Sequence, residues 1–452
     1  MTQQTWTITG TLRVQESELT EVATYRPLPN AEVEVFASNF GIYDSWGTVR
    51  TNSDGEFTLR KEKDKSKRKF KVQVRFADSE LEINSGALSD PLGFLSPAIK
   101  VFEHSSEVEG PSINIGTRSF VQGNSGELGS QQNVRQAISW YVMKTVINTL
   151  QATDSYFDFN GKIKVIYPAN VVSGTSYANG VTRCAYIHKN SSTDQWDVPT
   201  VLHEVMHLWN YDHNYGTSNW LAAVVCPPDW DTHSQEEKRP IAFHEGFAEY
   251  AAYGLLQELW GHEPQTRFER PKAYSRYGLR VGLGIHTADE VERNDGAVYR
   301  GLALLTGRAL YKKVFGSEEV RQPTADGFLP AVLDSSNLSC PEPAELSVFD
   351  VLKVFQANAA AGWPTEWQVG DNEYGLYRFF HRAADVLSGL DEGTKDLMLD
   401  LLDPDSTVEP QDRCTAPTWQ SHPVEYSDTV LVDVTPQHAS SALASPKRRG
   451  RA

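Results

Sequence analysis

The hydrophobic period changes once along this chain, and that change limits the folds open to it. Up to about residue 115, apolar side chains recur at every second position. Trp6 and Ile8, then Leu12 and Val14, alternate with polar neighbours around Gly10, and Ala31 to Ala37, Glu56 to Leu59, Phe70 to Phe76 and Leu81 to Ile83 do the same. Alternation of this kind buries one face of each short strand, and Asn52-Ser53-Asp54-Gly55 supplies a tight turn between two of them. From Asn133 to Ala152, Val134, Ala137, Ile138, Tyr141, Val142, Val146 and Leu150 fall instead on one face of a helix.

Later segments alternate between the two periods. Lys162 to Tyr167 and Gly180 to His188 predict strands. A helix starting at Asp197, with Pro199 in its first turn, runs to Asn210. Glu236 to Leu259 and Ala297 to Phe315 are helical and stop at Gly261 and Gly316. Beyond 317 helices alone are expected, at Leu346 to Ala359, Tyr374 to Leu390 and Gly393 to Leu402. One strand at Thr429 to Val434 and a basic flexible tail follow. Residues 104–130, rich in Ser, Gly and Glu, are expected to form a linker, with a domain boundary near 115.

A chain of 452 residues exceeds one compact core, so two or three domains are expected. No stretch has the 18 or so uncharged apolar residues of a spanning helix. The net charge of −17 repels phosphate backbones, so nucleic acid is not an expected partner. The first residues lack a basic start and an apolar run, which favours the cytoplasm, the alternative being export by a non-classical route. Cys184, Cys226, Cys340 and Cys414 form no CxxC pair and are expected to be reduced thiols. The basic run Lys61 to Lys69 is expected to be a solvated hairpin loop, the alternative being a dock for an acidic partner.

LPNAEVEVFA, GTVRTNSDGEFTL and FKVQVRF together resemble the transthyretin-like, carboxypeptidase-regulatory-like β-sandwich family over roughly the first 85 residues. The resemblance implies an accessory module without chemistry of its own, able to meet a protein partner.

Chemistry concentrates in His203-Glu204-Val205-Met206-His207. On a helix this HExxH spacing puts two imidazoles one turn apart on the same face, with a carboxylate beside them. Zn2+ takes such nitrogens as two of its ligands, and Glu204 can accept a proton from the water that the metal activates. Two residues compete for the third ligand position. His213 fits the metzincin spacing if Asn210, which tolerates a left-handed turn, replaces the usual glycine. Against it, no methionine lies between residues 214 and 397 to form the turn such enzymes place under the metal.

The other candidate is Glu245, within HEGFAEY. HExxHLW, EGFAEY and Val298-Tyr299-Arg300-Gly301 leading into LALLTGRALYKKVFG are similar to gluzincin metallopeptidases of the aminopeptidase N type, and HxWN with EGF to glycyl aminopeptidases. The resemblance covers about residues 130 to 316. It implies Glu245 as third zinc ligand and Tyr299 as the residue that steadies the oxyanion. Glu249 lies one turn beyond Glu245 on the same face and can accept a hydrogen bond from a ligand imidazole. His233 and His244 are further histidines able to approach the metal. Those aminopeptidases hold the substrate's amine with an edge-strand glutamate, and Gly180 to Cys184 carry no carboxylate.

The expected fold is multidomain α+β: a transthyretin-like β-sandwich at 1–115, a thermolysin-like α/β zincin core at 116–316, a helical domain at 317–410 and an extended tail at 411–452. The expected function is zinc-dependent hydrolysis of peptide bonds inside a peptide or protein substrate. Alternatives are an aminopeptidase, a non-catalytic scaffold with a structural zinc, and a delivered toxin or effector peptidase.

Overall fold

The structure is a computed structural model and describes residues 3–16, 24–39, 42–64, 67–86, 100–108, 111–121, 126–169, 176–188, 198–215, 239–260, 298–299, 301–302, 305, 346–361 and 375–387. It is α+β. Three four-stranded sheets and five bounded α-helices lie among the described residues. Internal contacts divide the chain into Met1–Val205 and Met206–Ala452.

In the first unit, β1 (Gln3–Glu16) is the centre of one sheet. It pairs antiparallel with β2 (Thr24–Pro27) and β5 (Glu56–Asp64), and parallel with β9 (Ser112–Phe120). The second sheet runs β4-β3-β6-β8, from β3 (Glu32–Asn39), β4 (Ile42–Arg50), β6 (Arg68–Arg75) and β8 (Lys100–Val108). Trp6 of the first sheet meets Trp46 and Phe70 of the second, with ring centroids 5.6 and 5.8 Å away. All three rings are buried, and removing an aromatic side chain of this kind from water contributes roughly 1.5–3 kcal/mol. The turn before β5 forms as its residues demand. Asn52 Oδ1 accepts from the backbone N–H of Asp54 and Glu56, and Gly55 has φ +75° where a β-carbon would collide with the Leu12 carbonyl oxygen.

Two expectations fail here for the same reason. Most of the Lys61 to Lys69 run is strand, not loop, because Lys61, Lys63 and Asp64 continue the β1–β5 ladder out to the Gln3–Asp64 pair. Much of 104–120 is also strand rather than linker, since β8 and β9 complete the edges of two sheets and β9 runs across residue 115. Polar composition did not prevent pairing where a neighbouring strand offered unpaired backbone groups.

A third sheet has the order β11-β12-β10-β7. Its strands are β7 (Leu81–Gly86), β10 (Ile163–Ala169), β11 (Tyr177–Asn179) and β12 (Cys184–His188). β7 and β12 flank β10 in parallel, and β11 runs antiparallel along β12. The strand expected at 180–188 is therefore a turn at 180–183 followed by an internal strand, and β11 is the edge. Cys184 is a buried thiol on β12; the other cysteines lie outside the described residues.

Helix α1 (Gln131–Thr153) matches the expected helix and is capped by Ser130, whose hydroxyl accepts from the Asn133 N–H. Trp140 Nε1 donates to the Pro29 carbonyl at 2.8 Å. One turn on, Lys144 Nζ lies 2.9 Å from Asp78 Oδ2 and also pairs with Glu80. Burial alone would raise the Asp78 carboxyl, but Lys144 and the Leu81 and Glu80 amides outweigh it and hold the group below its ordinary value of 3.8.

The second unit begins within helix α2 (Val198–Asn210), which continues into a wide turn, Tyr211–Tyr215. Helices α3 (Arg239–Trp260), α4 (Val348–Ala361) and α5 (Leu376–Val386) agree with the expected helices to within a few residues at most ends. Trp209, Phe243, Phe247, Phe355 and Phe379 form one buried aromatic cluster with centroid spacings of 4.9 to 6.2 Å. Gly254 of α3 lets Val348 of α4 approach, since a β-carbon there would lie 3.0 Å from Val348 Cγ2. The helix expected at 297–315 is described only at 298–299, 301–302 and 305, which are helical; the elements expected at 393–402 and 429–434 lie outside the described residues. No helix among the described residues is long and apolar enough to cross a membrane.

Candidate metal centre

Helix α2 carries both histidines of the HExxH segment. Its apolar side, with Val201, Leu202, Val205, Met206, Leu208 and Trp209, is buried, which fixes the rotation of the helix about its axis. His207 is 5% exposed and Glu204 6%, whereas His203 is half-buried. Two residues after His207, Trp209 stacks on Phe247, which lies two residues after Glu245. That aromatic contact sets α2 and α3 side by side at the level of the polar residues.

The result is a convergence of three side chains. His203, His207 and Glu245 each offer one ligand atom, and those atoms all lie within 4.8 Å of one another. His207 Nε2 is 3.1 Å from Glu245 Oε2. Ligands held about 2.1 Å from a tetrahedral ion sit about 3.4 Å apart, so the three atoms need only a small inward movement to share one ion. Two imidazoles and a carboxylate are a donor set that could hold a metal ion.

His213, the competing candidate, is placed elsewhere. It is buried with its ring 4.3 Å from Trp209, and Asn210 continues the helix without a left-handed backbone. Glu249 is half-buried one turn beyond Glu245 on the same side of α3. Tyr299 is 3% exposed, and its ring centroid is 6.2 Å from that of Tyr253. Tyr253 stands eight residues beyond Glu245, about 12 Å along the helix axis. Thus the structure brings together His203, His207 and Glu245, leaves Glu204 buried on the same helix as the two histidines, and gives Tyr299 a contact further along α3. His233 lies outside the described residues.

Two neighbours of the cluster, His244 and Asn210, meet in a contact that the sequence reading did not anticipate. The His244 ring centroid is 4.3 Å from that of His207, tilted by 32°. Its Nδ1 lies 2.9 Å from Nδ2 of Asn210, a residue with 0% exposure. The signal was present as spacing: Asn210 is three residues after His207 on one helix, and His244 immediately precedes Glu245.

No protein-family model and no curated protein matches the chain. Among solved structures, the chain is similar to a 9R-lipoxygenase from Cyanothece PCC8801 at 17% identity, over 33% of this chain and 27% of that one, with a TM-score of 0.17. A likeness that slight fixes neither fold nor chemistry.

Proposed function

We propose that the protein is a zinc-dependent peptidase that hydrolyses peptide bonds within a chain. The observation that carries this is the meeting of His203, His207 and Glu245 within 4.8 Å, with Glu204 next to His203 in sequence. Zinc, when bound, would polarise the scissile carbonyl and make water acidic enough to attack it. The remaining steps belong to the protein's own groups. His203 and His207 offer neutral ring nitrogens and Glu245 a carboxylate oxygen, leaving one position for water and substrate. Glu204, almost fully buried, takes the proton from the attacking water and delivers it to the departing amine. Tyr299 is the group assigned to donate a hydrogen bond from its phenolic hydroxyl to the developing oxyanion, which requires it to leave its contact with Tyr253.

The same proposal takes the two sheets joined at Trp6, Trp46 and Phe70 as a transthyretin-like β-sandwich. It takes α1, the third sheet and the two metal-bearing helices as a zincin core, with α4 and α5 as an accessory helical domain. The decisive test is metal analysis of the purified protein together with a peptide-library cleavage profile of wild type and Glu204→Gln. One bound zinc, cleavage by wild type and none by Glu204→Gln would support the reading. Zinc without cleavage by either would replace it with a structural site.

A further inference from the structure

We infer that Asn210 is a positioning residue: it holds His244 as the tautomer protonated on Nε2, with its ring seated against His207, the central ligand of the site. The inference rests on the metal-site reading and adds to it a support packed against the His207 ring.

Three observations lead there. Asn210 is the last residue of α2 and fully buried, so its amide has no solvent to turn toward. As placed, the amide nitrogen lies 2.9 Å from His244 Nδ1, so an N–H donates to the ring and the ring's own proton resides on Nε2. The opposite amide orientation is worse. Asn210 Oδ1 is buried with no hydrogen-bond partner among the described residues, and reversal would put both N–H groups of the amide there instead. An under-satisfied carbonyl oxygen is tolerated in proteins more often than orphaned N–H donors.

The second link is packing. The His244 ring stands 4.3 Å from the His207 ring at 32°, so rotation of either imidazole displaces the other. His207 Nε2 has to remain pointed at the Glu245 carboxylate for the two to share an ion. A ring locked by a buried amide limits that rotation through the ring contact. Losing such outer support typically weakens metal binding by about 10- to 100-fold without removing a ligand.

Two measurements test this. Imidazole nitrogen NMR of the metal-free protein at roughly pH 8, above the ordinary histidine value of about 6.5, reports the His244 tautomer directly. Wild type should show a single form protonated on Nε2, and Asn210→Ala a mixture. Zinc affinity, by competition with a chelator, should fall about 10-fold or more in Asn210→Ala and in His244→Ala. It should be largely restored in His244→Phe, which keeps a ring against His207, and the double variant Asn210→Ala/His244→Ala should lose little beyond either single one. A mixed or Nδ1-protonated tautomer in wild type overturns the inference, as does unchanged zinc affinity in both single variants. If wild type takes up no zinc at all, the metal-site reading falls, and the tautomer measurement alone then decides whether Asn210 sets the His244 ring.

Discussion

His207 Nε2 and Glu245 Oε2 lie 3.1 Å apart although 38 positions separate them in the chain. A lone pair and a carboxylate at that distance repel each other unless a proton or a cation lies between them. Both sit on helices clamped by the Trp209–Phe247 stack, so the contact is built into the fold.

The first consequence concerns the third ligand. Glu245→Ala should lose stoichiometric zinc on dialysis, while His213→Ala, whose ring packs on Trp209, should retain it. Atomic absorption of the two dialysed variants checks this, and retention by Glu245→Ala with loss from His213→Ala would reverse the assignment.

How much of this could be had from residues alone varies by element. The HExxH helix was legible because its ligands and its apolar side share one period, so each supports the other. The pairing of Glu245 with His207 was reached only through a resemblance, since no spacing rule joins residues on different helices. Lys61–Lys69 and residues 104–120 were misjudged because charge and Ser/Gly content describe single residues. Their pairing depends instead on β1 and on β6, far away in sequence. The pairing of Asn210 with His244 was missed because a polar residue at a helix end and a histidine beside a glutamate are common. Their 2.9 Å contact exists only once α2 and α3 are packed.

The buried ion pair between Lys144 of α1 and Asp78 should contribute to the acid sensitivity of the first unit. Lys144 and Asp78 side chains are 3% and 2% exposed and 2.9 Å apart. Asp78→Ala leaves the ammonium with Glu80 alone and should cost about 3 kcal/mol in urea unfolding at neutral pH. Because folding lowers the Asp78 pKa, its contribution is fully present above the ordinary value of 3.8 and fades as pH falls through the lower folded value. The stability gap between wild type and Asp78→Ala should therefore narrow once the pH drops below 3.8.

Tyr299 offers a test of chemistry against packing. Tyr299→Phe removes one oxygen from a ring that is already buried near Tyr253, so zinc content and melting temperature should stay near wild type. If the hydroxyl steadies the oxyanion, turnover should fall about 100-fold or more with little change in KM. Steady-state kinetics on one peptide substrate suffices, and full activity would make Tyr299 a core aromatic. By contrast, Gly301→Ala should act through packing, because its new methyl would lie 2.5 Å from the buried Leu376 Cδ2.

If the proposed peptidase lays its substrate along the edge of the third sheet, the lack of a carboxylate there bears on substrate choice. In the aminopeptidases that the chain resembles an edge-strand glutamate grips the amine, and Gly180 to Cys184 carry no such residue; the structure makes 180–183 a turn and gives the edge to Tyr177-Ala178-Asn179, again without a carboxylate. A free N-terminus brought there would shed water and gain no ion pair, so it has no advantage over a blocked one. An extended backbone does gain, because an edge strand offers it unpaired N–H and C=O groups. N-acetylated peptides should accordingly be cut at rates within about threefold of their free counterparts, a difference of well under 1 kcal/mol in barrier, and should yield internal fragments. Mass spectrometry of timed digests distinguishes the cases. Stepwise release of single N-terminal residues, abolished by acetylation, would mean that an acidic side chain elsewhere holds the amine and that the protein is an aminopeptidase.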